Sequence, residues 1–196
     1  MRPSTLTLDS RLRPFAADAE TLRRSQLVTL ILTGALAATL VSYLDLDLRL
    51  PGHRILYTIF PMAFGLAMVP RRGAGTLMGA SAGMTMGLFA LFGARVPGAG
   101  GLTSLLLTGP LLDFALRRGG RGWRLYAAFI LAGVASNTAA FLVRGAAKAL
   151  AVPGFAGSRP LAEWLSVAVF TYAIAGFLAG LVSAGTWFEL RGRERR

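Results

Sequence analysis

Three groups of residues in this chain have types and spacing suited to chemistry. The stretch "GTLMGASAGMTMG", residues 75–87, holds a G-x-S-x-G match centred on Ser81, the pattern that carries the nucleophile of many serine hydrolases. The lone histidine, His53, stands beside Arg54 in "PGHR" and could serve as a base or as a ligand-binding imidazole. Asp113, in "GPLLDFALRR", is a carboxylate inside an apolar run, where acids default to proton, ion or conformational roles.

Composition restricts these options. Of 196 residues, 54% are hydrophobic and 15% charged, with a mean hydropathy of +0.57, whereas soluble domains carry about a quarter charged residues. The chain reads as a membrane protein. Cysteine is absent, which removes disulfides and thiolate metal sites, and one histidine with Asp45 and Asp47 is too small a set for a metal. "RRGGRG" reads as a turn between helices and not as a phosphate-binding loop. The net charge of +12 sits in short arginine runs between apolar blocks, so topology accounts for it and no nucleic-acid partner is expected.

Six apolar blocks, about 25–44, 52–69, 75–93, 100–116, 125–143 and 165–188, are each near the roughly 20 residues that cross a bilayer as a helix. None shows the alternation of a barrel strand, so helices are the expected spanning structure. Arg2, Arg11, Arg13, Arg23, Arg24, Arg71, Arg72, Arg117, Arg118, Arg121, Arg124, Arg191, Arg193, Arg195 and Arg196 fall on one side of these blocks. Arg49, Arg54, Arg95, Arg144, Lys148 and Arg159 fall on the other. The positive-inside rule then puts both termini in the cytoplasm. The expected fold is an all-α membrane protein, a compact bundle of six transmembrane helices with N-in, C-in topology in the cell (inner) membrane. A cytosolic arm over 1–24, without the apolar core of a secretory signal, precedes the membrane domain over 25–188, and a basic tail over 189–196 follows it. Pro61 and Pro110 fall inside the second and fourth blocks, where each removes a backbone donor and is expected to kink its helix.

This placement weighs against a catalytic Ser81. No strand precedes it, and His53 lies upstream at the opposite end of the next-door helix, separated by about 20 Å of membrane depth. Hydrogen-bond reach is about 3 Å. No catalytic set is expected, and the chain is not expected to be an enzyme. Gly75, Gly79, Gly83 and Gly87 recur every fourth position instead, making a smooth stripe on which another helix can pack closely. Gly34 and Ala38 form a shorter stripe in the first helix, suited to packing within the bundle or against another protein. Asp113 has Arg117 four residues on, so an i, i+4 ion pair and a conformational or coupling role both stay open.

A second cluster gathers at the outer ends of the helices. His53, Arg54 and Tyr57 begin the second helix, Asn137 and Arg144 lie on the fifth, and Glu163, Trp164 and Tyr172 surround the start of the sixth. These residues either cap and anchor helix ends at the interface or line an outward pocket. Asn137 favours the pocket, because an amide well inside a span must find partners within the bundle.

The small-residue run "TGALAA", the run "FPMAFGLAMVPRRGAGTLMGASAG" and the following "TGPLLDFAL" resemble the substrate-binding subunit, or S-component, of energy-coupling factor (ECF) type uptake transporters. The likeness covers about residues 25 to 188. It implies that outer loops and helices four to six enclose a small-molecule solute, vitamin-like or a related micronutrient. It also implies that the first helix offers small residues, here Gly34 and Ala38, to a membrane coupling subunit, with ATP hydrolysed by partner ATPase subunits and no cofactor in this chain. The histidine motif of metal-transporting relatives is missing at the N-terminus, which disfavours nickel or cobalt. Arg54, Arg144 and Lys148 outnumber Glu163 at the expected mouth and favour a solute bearing a carboxylate or phosphate. The other function left open is a structural or assembly protein of the bacterial cell envelope.

The topology has a direct test. Single cysteines near residues 97 and 155 should react with an impermeant thiol reagent in whole cells, and single cysteines near 73 and 120 should not. Labelling at 73 or 120 would overturn the orientation.

Overall fold

A computed structural model describes residues 22–44, 52–94, 96–118, 122–153 and 160–193. The arm through residue 21, Asp45, Asp47, Arg49, Arg95, Arg121, Arg159 and the last three residues lie outside the described residues. Six helices run in order: α1 (Arg24–Tyr43), α2 (Ile55–Met68), α3 (Ala74–Leu91), α4 (Ala99–Arg118), α5 (Trp123–Ala149) and α6 (Leu161–Arg193). Five are long and apolar enough to cross a membrane, which makes this a multi-pass membrane protein.

The exception is α2. Its 14 residues span about 21 Å at roughly 1.5 Å per residue, short of a hydrocarbon core of about 30 Å. The sequence block of 52–69 is longer than the helix because Gly52, His53 and Arg54 form a turn before it, and Pro70 stops it just after Val69. Pro61 lies within α2 and Pro110 within α4, and the helix continues through each. What α2 lacks in length it recovers in burial. Ile59, Met62 and Leu66 are fully enclosed, and the helix contacts all five others. Phe60, Phe64 and Met68 form its one exposed stripe, so α2 is packed on most of its surface and open along a single face.

The other departures are at helix ends. α5 runs to Ala149 and α6 to Arg193, past the apolar blocks at 125–143 and 165–188, so most of the expected tail over 189–196 is helix. On α5 the extra turns carry Arg144 and Lys148, whose charged heads lie 5.9 and 5.8 Å from the centre of the Trp164 ring. Aromatic faces of this kind accommodate cations, so charge ends the apolar block before it ends the helix.

Backbone contacts at glycines hold the bundle together. A Cβ at Gly75 would collide with the Gly109 carbonyl, and one at Gly109 with the Gly75 carbonyl, so α3 and α4 cross at a reciprocal pair. One turn on, a Cβ at Gly79 would lie 3.0 Å from the Leu106 carbonyl oxygen. That carbonyl is the one Pro110 leaves without its usual helical donor, and the bare Gly79 lets α3 close over it. Gly83 continues the contact at Leu106, but Gly87 meets nothing within 4 Å. The same device joins α5 to α6, where Gly133 faces the Gly176 carbonyl and the backbone of Gly180.

Gly34 and Ala38 do not form a free docking face. Ala38 is fully buried, and Gly34 lies against the Met78 carbonyl and 3.0 Å from Ser81 Cβ. The stripes of α1 and α3 meet each other because two smooth helices gain most from close approach. Ser81 belongs to this seam, donating its hydroxyl to the Ile31 carbonyl at 2.8 Å.

Asp113 has a different partner from the one its spacing suggests. Its carboxylate accepts from the Gly75 N–H at 3.0 Å, the Thr76 N–H at 2.8 Å and the Thr76 hydroxyl at 2.9 Å, while Arg117 is exposed. A side chain of α4 thereby caps α3, neutralising N–H groups that no helix satisfies internally and facing the positive end of the dipole.

Gly75→Leu and Gly34→Leu should each destabilise the protein by about 1–3 kcal/mol or more through overpacking, and Asp113→Ala by about 1–3 kcal/mol through orphaned N–H groups. Ser81→Ala should cost about 0.5–1.5 kcal/mol, and Gly87→Leu close to nothing. Thermal unfolding in detergent reads the series; equal losses at Gly75 and Gly87 would contradict the crossing.

Candidate functional site

The helices run alternately up and down, so the ends of α1, α3 and α5 meet the starts of α2, α4 and α6. At this end the described cations are Arg54, Arg144 and Lys148, whereas Arg23, Arg24, Arg71, Arg72, Arg117, Arg118 and Arg124 occupy the other. A small recess of about 60 Å³ opens among α2, α4, α5 and α6 at the less basic end.

The turn before α2 supplies one wall. Gly52 has φ of 86°, a left-handed conformation that costs an L-residue about 1–2 kcal/mol. A Cβ there would also sit 2.9 Å from Tyr172 Cγ and 3.0 Å from Asn137 Nδ2. Glycine is thus required twice, for the turn and for the approach. The turn brings His53 and Arg54 to the recess, with the His53 ring edge-on to Tyr57 at 5.8 Å.

The opposite wall is α5 on α6. Asn137 is buried and donates its amide to the Tyr172 carbonyl at 2.6 Å, which fixes the amide orientation at the recess. A turn and more along α5, Arg144 also lines it. Behind them is an aromatic group in which Phe141 stacks on Trp164 at 5.4 Å and Tyr172 stands edge-on to Trp164 at 6.2 Å.

Helix α4 enters through its glycines. A Cβ at Gly100 would lie 3.1 Å from the Ala140 carbonyl and 3.3 Å from the Tyr172 hydroxyl, so the start of α4 fits tightly against α5. Below, Ser104 lines the recess and begins a buried hydroxyl seam: Thr108 donates to the Ser104 carbonyl at 2.6 Å and pairs with the Ser136 hydroxyl at 2.8 Å. The seam satisfies polar groups that would otherwise be costly inside a membrane protein.

His53, Arg54, Asn137, Arg144 and Tyr172 therefore share one recess. Tyr57 and Trp164 stand behind it as ring neighbours. Glu163 is exposed in the first turn of α6, where an acid complements the helix dipole, and it does not line the recess. Gly52, Gly100, Gly101 and Ser104 were not singled out from sequence. The glycines of "VPGAGG" offer a signal only in retrospect, since a residue without a side chain declares no chemistry.

Electrostatically the recess is one-sided. Among the described residues, two guanidinium groups line it and no carboxylate does. Its volume equals roughly two waters at about 30 Å³ each, enough for the charged group of a solute but not for a whole molecule of the 300–1,000 Å³ class, on the order of typical ligand pockets.

The chain matches no family model, no curated protein and no solved structure in comparisons with each.

Gly52→Ala should disturb the recess more than the fold, since strain and contact both fall on the turn before α2. The expected loss is about 1–2 kcal/mol in thermal unfolding, together with a changed fluorescence of the aromatic group around Trp164. A substitution silent in both would mean that the turn does not close on Asn137 and Tyr172.

Proposed function

We propose that the protein is the solute-binding subunit of an ECF-type uptake transporter, resident in the cell (inner) membrane and taking up a small molecule with a carboxylate or phosphate group from the outer face. The observation that carries this is the convergence of Arg54, Arg144, Asn137 and Tyr172 on one recess that has no carboxylate among its described lining residues. The guanidinium groups bind an anion by charge-assisted hydrogen bonds. Asn137, held by the Tyr172 carbonyl, and the Ser104 hydroxyl supply directional contacts beneath them.

The rest of the solute, on this reading, extends toward the aromatic group of Phe141, Trp164 and Tyr172. Delivery across the membrane requires a coupling subunit and ATPases, which hydrolyse the ATP. With Gly34 and Ala38 turned inward, the surface that α1 offers to a coupling subunit is its outer face, where Val28, Ile31, Leu32 and Leu36 are exposed. No step needs a cofactor in this chain, and Ser81 and Asp113 act in packing and capping and not in catalysis.

The small volume of the recess favours the second reading, a structural or assembly protein of the cell envelope whose polar outer residues bind nothing. One experiment separates the two. Protein purified in mild detergent should carry a small anionic molecule detectable by mass spectrometry after denaturation. Arg144→Gln and Arg54→Gln should each reduce its retention roughly tenfold to a hundredfold, the worth of a charged hydrogen bond, with little change in unfolding temperature. A protein that carries no small molecule, and whose arginine variants bind an unchanged set of membrane partners, would establish the structural reading instead.

A further inference from the structure

At the opposite end of the molecule, α4 and α5 are separated on their outer side by an apolar groove of about 440 Å³. Its floor consists of small residues, with Ala115 and Ala132 buried and Ala128 partly so, and its sides are Leu111, Phe114 and Leu131. The small floor is the cause of the groove: side chains of this size leave a furrow between two helices that larger ones would fill. Phe114 and Leu131 are exposed along it.

The groove has one polar end. Among the described residues, Arg118 and Arg124 are the charged ones lining it, and both are exposed. The Arg118 guanidinium lies over the Phe114 ring at 5.6 Å, which holds the charge at the mouth of the groove. Trp123 lines the same end and is exposed, the placement of a ring at a membrane interface. An apolar channel on a lipid-facing surface, ending at two cations and an interfacial indole, has the charge and polarity pattern of one phospholipid: chain along the groove, phosphate at the arginines. Basic pockets between transmembrane helices select anionic headgroups for this reason.

We propose that the α4–α5 groove is a binding site for an anionic phospholipid of the leaflet facing the arginine-rich end, with an acyl chain against Ala115, Ala128 and Ala132 and the headgroup phosphate between Arg118 and Arg124. The site is independent of the recess at the other end and stands whether or not that recess binds a solute. It differs from general electrostatic attraction because it names two of the arginines at this end and a matching apolar surface.

The test is native mass spectrometry of the full chain, delipidated in detergent and supplied with phosphatidylglycerol or with phosphatidylcholine of identical chains. The wild type should retain phosphatidylglycerol with a preference of at least about tenfold over phosphatidylcholine. Arg118→Gln with Arg124→Gln should abolish the preference, while Arg24→Gln with Arg117→Gln removes the same charge from the same end and should leave it. Ala128→Leu, filling the floor, should reduce retention of both lipids at unchanged headgroup preference. Equal loss in the two double variants would reduce the effect to diffuse charge and overturn the site, as would a wild type without headgroup preference. A dimer that excludes lipid would overturn it too, by showing that a second copy covers the groove.

Discussion

Helix backbones touching without intervening side chains are the condition on which the rest of the molecule rests. In a bilayer, apolar surface is not expelled toward other apolar surface, because lipid tails are equally apolar, and association depends on packing density and on backbone polar groups finding each other. Gly75 on Gly109, Gly34 on the Met78 carbonyl and Gly133 on Gly176 bring three helix pairs to that distance. Asp113 then ties the first of these joints with three hydrogen bonds. With α3 fixed to α4, α1 to α3 and α5 to α6, α2 has a cleft to pack into, and the turn before it is held at a defined level against Asn137 and Tyr172.

Much of this was legible in the sequence, because hydropathy and glycine spacing are local properties. The helical class, the apolar blocks and the packing role of Gly75, Gly79 and Gly83 followed from them. What hydropathy does not encode is where a helix ends when charge can be housed on an aromatic ring, as for Arg144 and Lys148 over Trp164. It also does not encode partner choice. A stripe of small residues states that close approach will occur and is silent about whether the approaching helix belongs to the same chain, which is why Gly34 and Ala38 read as an outward face. Asp113 illustrates the same limit: Arg117 is its neighbour by spacing, but an N-terminus 37 and 38 residues away in the chain offers aligned donors out of water, and those prevail.

The recess shows the reverse case. Five of its polar residues could be nominated from chemistry alone, yet the surfaces that bring them together are Gly52, Gly100 and Gly101, which have none. Polar groups in it are anchored from behind: Asn137 by the Tyr172 carbonyl, the Ser104 hydroxyl by the Gly101 carbonyl, Tyr172 by ring contacts. Under the proposed function, a site with so little freedom binds by matching charge and direction at one group and leaves the remainder of the solute to contacts farther out.

The shortness of α2 has an electrical meaning. The turn before it packs against Tyr172, which lies 11 residues into α6, or about 16 Å along that helix at roughly 1.5 Å per residue. Arg54 is therefore placed well inside the start of α6, beside Gly101 at the start of α4, where the low-dielectric wall still to be crossed is thinner. A charge moved across the whole membrane exchanges about 2.3 kcal/mol per 100 mV with the potential, and an anion resting beside Arg54 has already traversed part of that drop. Under the proposed function and orientation, occupancy of the recess depends on membrane voltage as well as on concentration, and an interior-negative potential opposes the entry of an anion from outside.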